Sequence, residues 1–243
     1  MVDSCLVAKL GRYAALSEHD KQLLVALERD EREYKKDEVV TQSGHRINEL
    51  YVLKSGWLTS YSLLDDGRRQ LLRLFYPGDI VDLAEIALVR ARHDVKCLTP
   101  AVLCPFPKSG LEPLFAQSPR LTALLFSMTV RENSTLLDRI RAVGRFSAYE
   151  RVCYLLLEIG YRLNAIDDAK EDGGFRLPLT QSDIADLLGL TNVYVSKTMS
   201  RIEQDGLIRR DGNRVRILDH ARMVELCDFN GEPLIDTSWF PVL

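Results

Sequence analysis

From Tyr34 to Phe106 the apolar residues come in short runs divided by turn residues. Gly44, Gly56, Gly67 and Gly78 stand 12, 11 and 11 residues apart, and between them lie Leu50 to Leu53, Trp57 to Leu63 and Gln70 to Phe75. Short apolar or alternating runs broken by turns about every 8–12 residues predict an antiparallel β sandwich or barrel. Asp65-Asp66-Gly67 suits a hairpin turn, because glycine accepts the positive φ such turns demand, and Pro77-Gly78-Asp79 marks another. A last strand through Val95 to Phe106 is interrupted by Pro100 and bounded by Pro105 and Pro107, a pattern of edge or loop positions.

After Pro119 the spacing turns helical. Leu121, Leu124, Leu125, Met128, Leu136, Ile140 and Val143 make a one-sided apolar stripe. Ser118 is placed to cap this helix, Pro119 to open it and Gly144 to close it. Two readings of the stripe stand even on periodicity: a helix packed on its own β domain, or a seam between two copies. The polar middle, Thr129 to Thr135, argues against a strict coiled coil. A second helix from Ala148 to Leu163 follows, then an acidic, glycine-ended loop from Asp167 to Gly174 and a short strand at Phe175-Arg176-Leu177.

The stretch from Leu179 to Ile217 carries the function. Thr180 can cap a helix that has Asp183 three residues on and Ile184, Ala185, Leu187 and Leu188 inward. Gly189-Leu190-Thr191 turns the chain, and a helix from Asn192 to Gln204 buries Val195, Met199 and Ile202. Helix, three-residue glycine-containing turn and helix is helix-turn-helix geometry. A hairpin turning at Asp211-Gly212-Asn213 adds a wing. From Lys197 to Arg216 six bases (Lys197, Arg201, Arg209, Arg210, Arg214, Arg216) face three acids (Glu203, Asp205, Asp211). A recognition helix reads base edges from its N-terminal turns, where Asn192, Val193, Ser196, Lys197 and Ser200 point outward. Lys197 can donate to guanine, Asn192 can pair with adenine and Val193 can touch a thymine methyl. Thr191, Tyr194 and Arg201 suit phosphates, and Thr180 and Arg214 are counted with them as DNA-binding residues.

The 243 residues, 46% hydrophobic and 28% charged, exclude a disordered chain, a collagen and a small disulfide scaffold, and suggest two domains. A net charge of −3 gives no support to wholesale coating of nucleic acid, so the positive 197–216 segment stands out. The N-terminus lacks the apolar core of a signal peptide, and the most hydrophobic stretch elsewhere, Ile80 to Val89, is broken by Asp82 and Glu85. A cytoplasmic protein with no membrane contact is expected. Cys5, Cys97, Cys104, Cys153 and Cys227 are scattered, so neither a metal site nor a cysteine-ligated cluster is expected, while a redox-sensing thiol stays open. There is no phosphate-binding glycine loop, no G-x-S-x-G and no H-E-x-x-H, and no enzyme is expected.

In this order, a glycine-spaced β region with Gly56 and Pro77-Gly78-Asp79, a long helix, and then the run Leu179 to Thr191 with Val195-Ser196-Lys197 and Asp205-Gly206-Leu207-Ile208 resemble the CRP/FNR family of bacterial transcription regulators. The resemblance covers about Leu16 to Leu218. It implies an α+β chain: an antiparallel, jelly-roll-like β-roll in residues 1–116, a dimerisation helix in 117–144, a winged helix-turn-helix in 145–219 and a tail in 220–243. It also implies a homodimer joined along the long helix through Leu121, Leu125, Met128, Leu136, Ile140 and Val143. The partners are then double-stranded DNA, a second copy and, for an activator, RNA polymerase.

The family's usual base readers are a glutamate and an arginine where Val193 and Lys197 stand, so the half-site of well-known members does not transfer. Its cyclic-nucleotide binders carry a Gly-Glu pair after Pro-Gly-Asp, whereas here Ile80-Val81-Asp82-Leu83 follows, and Arg90-Ala91-Arg92-His93 is not the phosphate cassette in register. Cyclic AMP is therefore not expected. An iron–sulfur cluster is not expected either, since Cys5 and Cys97 do not supply the oxygen-sensing members' ligand set. His19, His45, His93 and His220 each offer a haem ligand in principle, but a lone histidine in a β domain is more often structural. The tail from Met223 to Leu243, with Trp239, Phe240 and Pro241, is expected to pack on the winged domain. The alternative function is a β-roll that senses a redox signal, haem or a small molecule, or binds a protein, with weak or vestigial DNA binding.

Overall fold

The computed structural model describes residues 4–164, 174–231 and 234–241. The chain divides into two compact units: Met1–Ser62, Arg73–Asn133 and Leu234–Leu243 form one, Leu63–Leu72 and Ser134–Pro233 the other.

The first stretch of chain runs α1 (Cys5–Leu10), α2 (Glu18–Val25), β1 (Arg32–Tyr34), β2 (Val39–Thr41), β3 (Glu49–Ser55), β4 (Leu58–Leu63), β5 (Arg69–Phe75), β6 (Ile80–Val81), β7 (Asp94–Cys97), β8 (Ala101–Pro107), α3 (Glu112–Gln117) and α4 (Pro119–Arg145). The strands form two four-stranded sheets, ordered β1-β8-β3-β6 and β2-β7-β4-β5. Alternation along β3 and β8 explains the layering. Leu50, Val52, Cys104 and Phe106 meet Leu6, Leu10, Leu24 and Leu121 of the helices, while Leu53 and Leu103 meet Leu58, Phe75 and Val95 between the sheets. A strand buried on both faces reads as an unbroken apolar run, which is what Leu50 to Leu53 is.

The strand predicted through Val95 to Phe106 is two strands, β7 and β8, with Pro100 in the turn. Pro105 and Pro107 lie inside β8, opposite Tyr51 and Glu49. They are tolerated because β1 pairs only with Ala101 to Leu103, so beyond Leu103 the other side of β8 needs no N–H for a ladder. The Pro-Gly-Asp turn is held from outside: Asp79 accepts the Tyr76 amide at 2.7 Å and pairs with the Lys9 ammonium of α1. Gly78, at φ 83°, leaves the room that Lys9 fills.

The long helix corrects the expected stripe. Leu121, 1% exposed, and Leu125 are buried in the helix-side core, with Met128 packed against it; these three belong to the protomer's own core. At Arg131 the helix turns a guanidinium inward to Tyr13 Oη, at 2.8 Å, which accounts for part of the polar middle. Leu136, Ile140 and Val143 are exposed, as are Phe126, Val130 and Leu137. Gly144 does not end α4: the Phe146 amide still donates to the Ala142 carbonyl at 3.0 Å, and the helix gives way where Ser147 and Glu150 cap the next one.

The second stretch runs α5 (Ala148–Asn164), β9 (Gly174–Arg176), α6 (Gln181–Leu188), α7 (Asn192–Gln204), β10 (Ile208–Asp211), β11 (Arg214–Ile217) and α8 (His220–Leu226). Strands β10-β11-β9 form an antiparallel sheet. The acidic loop expected at 167–174 lies, up to residue 173, outside the described residues.

The tail does not pack as expected. Met223, Cys227 and Phe229 are buried in the second unit, but residues 234–241 belong to the first. There Phe240, 5% exposed, joins the helix-side core, and Arg120 lies 5.7 Å over its ring and donates to the Pro241 carbonyl. The ring thus has an apolar floor beneath it and a guanidinium above it.

Candidate nucleic-acid interface

Both helices of the motif are capped from their own sequence. The Thr180 hydroxyl accepts the Asp183 amide at 3.1 Å, and Asp183 accepts the Thr180 amide at 3.0 Å, a reciprocal capping box on α6. Gly189, at φ 65° and ψ 39°, takes the left-handed conformation that ends α6, and Thr191 caps α7 by accepting the Tyr194 amide. Asp183 is also bound from outside the motif. Arg69 donates to it and to Asp186, each at 2.7 Å. Arg69 lies more than a hundred residues away in sequence, and no local pattern marks it.

The buried face of α7 is Val195, Thr198, Met199 and Ile202. At about 100° per residue, the line directly opposite is Val193, Lys197, Ser200 and Gln204. Val193, Lys197 and Gln204 are exposed and Ser200 is half-buried, so this ridge is what α7 presents outward. Ser196 flanks it, half-buried, and Tyr194 is exposed on the other flank. Asn192, the expected adenine reader, is exposed at the first position of α7, and its amide nitrogen donates to Ser182 Oγ of α6 at 2.9 Å. The Thr180 and Thr191 hydroxyls are likewise engaged in caps, so a phosphate there would meet the helix N-termini. Arg201 turns aside, over the Tyr149 ring at 5.4 Å and 3.9 Å from Asp205.

Pairing with β9 adds Arg176 to the positive charge of the 197–216 segment. Glu203 is taken up by Arg210, which donates to it at 2.7 Å from the side chain and 2.8 Å from the backbone; these bonds hold its carboxyl below the usual range. Across the sheet, Arg209 stands opposite Arg216, and Arg214 opposite Arg176. Arg176, Arg209, Arg214 and Arg216 are all exposed, while Phe175, Val215 and Ile208 between them are buried. Arg176, Arg209 and Arg216 were not among the expected site residues. Period-two alternation through both wing strands would have found the last two, but Arg176 needed the β9–β11 pairing.

Elsewhere, burial pushes Cys97 and Cys104 up to about 11, and Cys153 and Cys227 to about 12, so these thiols stay protonated and are poor nucleophiles. In the β domain Asp82 takes a left-handed φ of 65°, is buried and accepts the Thr41 hydroxyl at 2.6 Å; burial raises its carboxyl above the ordinary value. Among the described residues no helix is long and apolar enough to cross a membrane.

Two family models match. The Crp-like helix-turn-helix domain covers residues 150–226, and the cyclic nucleotide-binding domain covers residues 31–118. The transcriptional activator protein FnrL of Cereibacter sphaeroides is 31% identical over 211 residues, 85% of this chain and 84% of that one. The nitrogen fixation regulation protein FixK of Bradyrhizobium diazoefficiens is 32% identical over 178 residues, 72% of this chain and 73% of that one. The solved structure of FixK2 from Bradyrhizobium japonicum superposes with a TM-score of 0.73 at 28% identity, over 81% of this chain and 96% of that one. These relatives are transcription regulators rather than enzymes. Capped helix-turn-helix, basic wing, double β-sheet domain and similarity over most of the chain agree: the protein belongs to the CRP/FNR family of transcription regulators.

Proposed function

We propose that the protein acts as a homodimer that binds a near-palindromic DNA operator, one α7 in the major groove of each half-site, and that its β domain takes no cyclic nucleotide. The observation that carries the reading is the outward ridge Val193, Lys197, Ser200 and Gln204 on a helix capped at its N-terminus and flanked by a basic wing. A lysine over guanine O6 and N7 supplies about 1–3 kcal/mol of discrimination, and an exposed valine suits a thymine methyl.

The dimer is supported by α4. Phe126, Val130, Asn133, Leu137, Ile140 and Gly144 are all exposed and follow one another at four- and three-residue steps, the heptad spacing of a two-helix seam. Phe126 is 62% exposed and Ile140 60%, which water leaves uncovered at a cost a second copy would remove. The seam lies rotated from the stripe expected on sequence, whose first half is core.

A cyclic nucleotide does not fit the residues present. The backbone after the Pro-Gly-Asp turn carries buried Ile80 and Val81 and then the Asp82 carboxyl, bonded to Thr41, where an anionic ligand would need donors. Adding cyclic AMP is expected to leave DNA affinity unchanged.

The test is a selection from random duplexes by the ligand-free protein at one stated salt concentration. The expected product is a palindrome with half-sites about 10 base pairs apart. Lys197→Ala should abolish that preference while leaving a dimer in sedimentation, and Ile140→Glu should give a folded monomer. A folded dimer that enriches no sequence overturns the reading.

A further inference from the structure

We infer that the C-terminal tail is part of the dimer interface: Phe240 and Arg120 hold Trp239 on the flank of α4, where it packs against the second copy. The inference rests on the dimer reading above and adds to the seam a segment, its anchor and the residue it offers.

Ala123 is buried on the wrong side of α4. At about 100° per residue it stands about 100–160° round the helix from Leu121, Leu124, Leu125 and Met128, which face the helix-side core. It stands only about 60° from Phe126, the first exposed residue of the seam. A residue there should be open to water, yet Ala123 is 9% exposed and shares a core cluster with Phe240. The tail reaches this flank. Arg120, three residues before Ala123, donates to the Pro241 carbonyl at 3.3 Å and lies 5.7 Å over the Phe240 ring.

The tail is ordered within its own protomer. The Phe240 amide donates to the Thr237 carbonyl at 3.2 Å, and the Ser238 amide to Asp236 Oδ1 at 2.9 Å, so successive turns fix the segment. Phe240 points inward, and Ile235 packs against the same cluster. Between these anchors Trp239 is turned out, 53% exposed, its ring edge-on to Phe240 at 4.8 Å. Folding leaves this indole in water on the side of α4 where Phe126 and Val130 are also uncovered. A fixed tryptophan beside an apolar seam is a large, rigid contact whose conformational freedom has already been lost in folding. The apolar surface is continuous with the seam, so what covers the one covers the other. In a two-fold dimer the same patch occurs on both copies, and each tail adds one such contact.

The experiment uses the full-length protein. Trp57 is buried against Tyr76, so Trp57→Phe leaves Trp239 as the reporting indole of the two. Its emission should lie at shorter wavelength in the dimer and move to longer wavelength on dilution, with the midpoint that sedimentation finds. Trp239→Ser should raise the dimer dissociation constant about 10–30-fold. Phe240→Ala, which releases the anchor, should raise it at least as much. Placed in the Ile140→Glu monomer, Trp239→Ser should leave the urea midpoint unmoved.

A Trp239→Ser protein whose dissociation constant stays within twofold of the parent's overturns the inference. So does a Trp239 emission that is the same in the dimer and in the Ile140→Glu monomer. A lowered urea midpoint in that monomer also overturns it, and assigns Trp239 to the protomer's own core. If any of these occurs while Ile140→Glu gives a monomer, only this inference falls. If the Ile140→Glu protein stays dimeric, the seam falls and the inference with it.

Discussion

The β domain and the wing treat charge in opposite ways. In the β domain polar groups turn inward and are matched: Lys9 with Asp79, Asp20 with Ser17 and Ser118, Thr41 with Asp82, Arg131 with Tyr13. In the wing, arginine stands opposite arginine on an open face. A buried group that is fully bonded is part of the architecture, and removing its partner exposes the cost of having buried it. An exposed pair of like charges such as Arg209 and Arg216 works against the sheet that carries it. The same residue types therefore mean scaffold in one unit and interface in the other.

That contrast can be broken in three places. The largest effect is expected at Asp79→Ala, which strands the Lys9 ammonium, 10% exposed at its side chain, and leaves the Tyr76 amide without its acceptor. Urea unfolding should show a loss of about 3–5 kcal/mol. A loss below about 1 kcal/mol would put this pair on the footing of a surface ion pair.

Arg69→Ala comes next. Arg69 is basic and in the second unit, like the wing arginines, but it donates to two half-buried or buried aspartates. Its removal should destabilise by about 1–3 kcal/mol, whereas Arg209→Ala should be neutral or stabilising by up to about 1 kcal/mol. Equal losses in denaturant would erase the distinction between clamp and interface.

The smallest effect has the opposite sign. Burial raises the Asp82 carboxyl, so ionising it costs stability above its folded-state value, and the parent protein gains stability as pH falls through that value toward the ordinary aspartate range. Asp82→Asn can keep the Thr41 bond and tolerates the left-handed backbone. The variant should melt higher than the parent at pH 7, with the gap closing in acid. A gap independent of pH would mean that the carboxylate's charge is not the cause.

What could be read along the chain follows from what is local. Thr180, Asp183, Gly189 and Thr191 act within four residues of themselves, so the boundaries of α6 and α7 stand where capping chemistry and glycine punctuation put them. The strand pattern from Tyr34 to Phe106 was equally legible, because alternation survives in sequence. Periodicity along α4 reports that a face is apolar, not what covers it: Leu121 and Leu125 are covered by the same protomer while Ile140 is exposed. The short helices α1 and α2 have too few turns to show a clear period in sequence.

The sequence by itself determined the family, the capped helix-turn-helix and the basic excess around it, since each depends on neighbours along the chain. Tertiary structure decided the rest. It drew the tail's Phe240 into the first unit, fastened Asp183 to Arg69, turned Asn192 onto Ser182, and brought Arg176 into line with Arg214. Each of these is set by which surfaces meet, and apart from the ten-residue span between Asn192 and Ser182 the partners lie too far apart along the chain for a local pattern to join them. Burial and register are properties of the folded surface, and the arginine face of the wing exists only once the strands have paired.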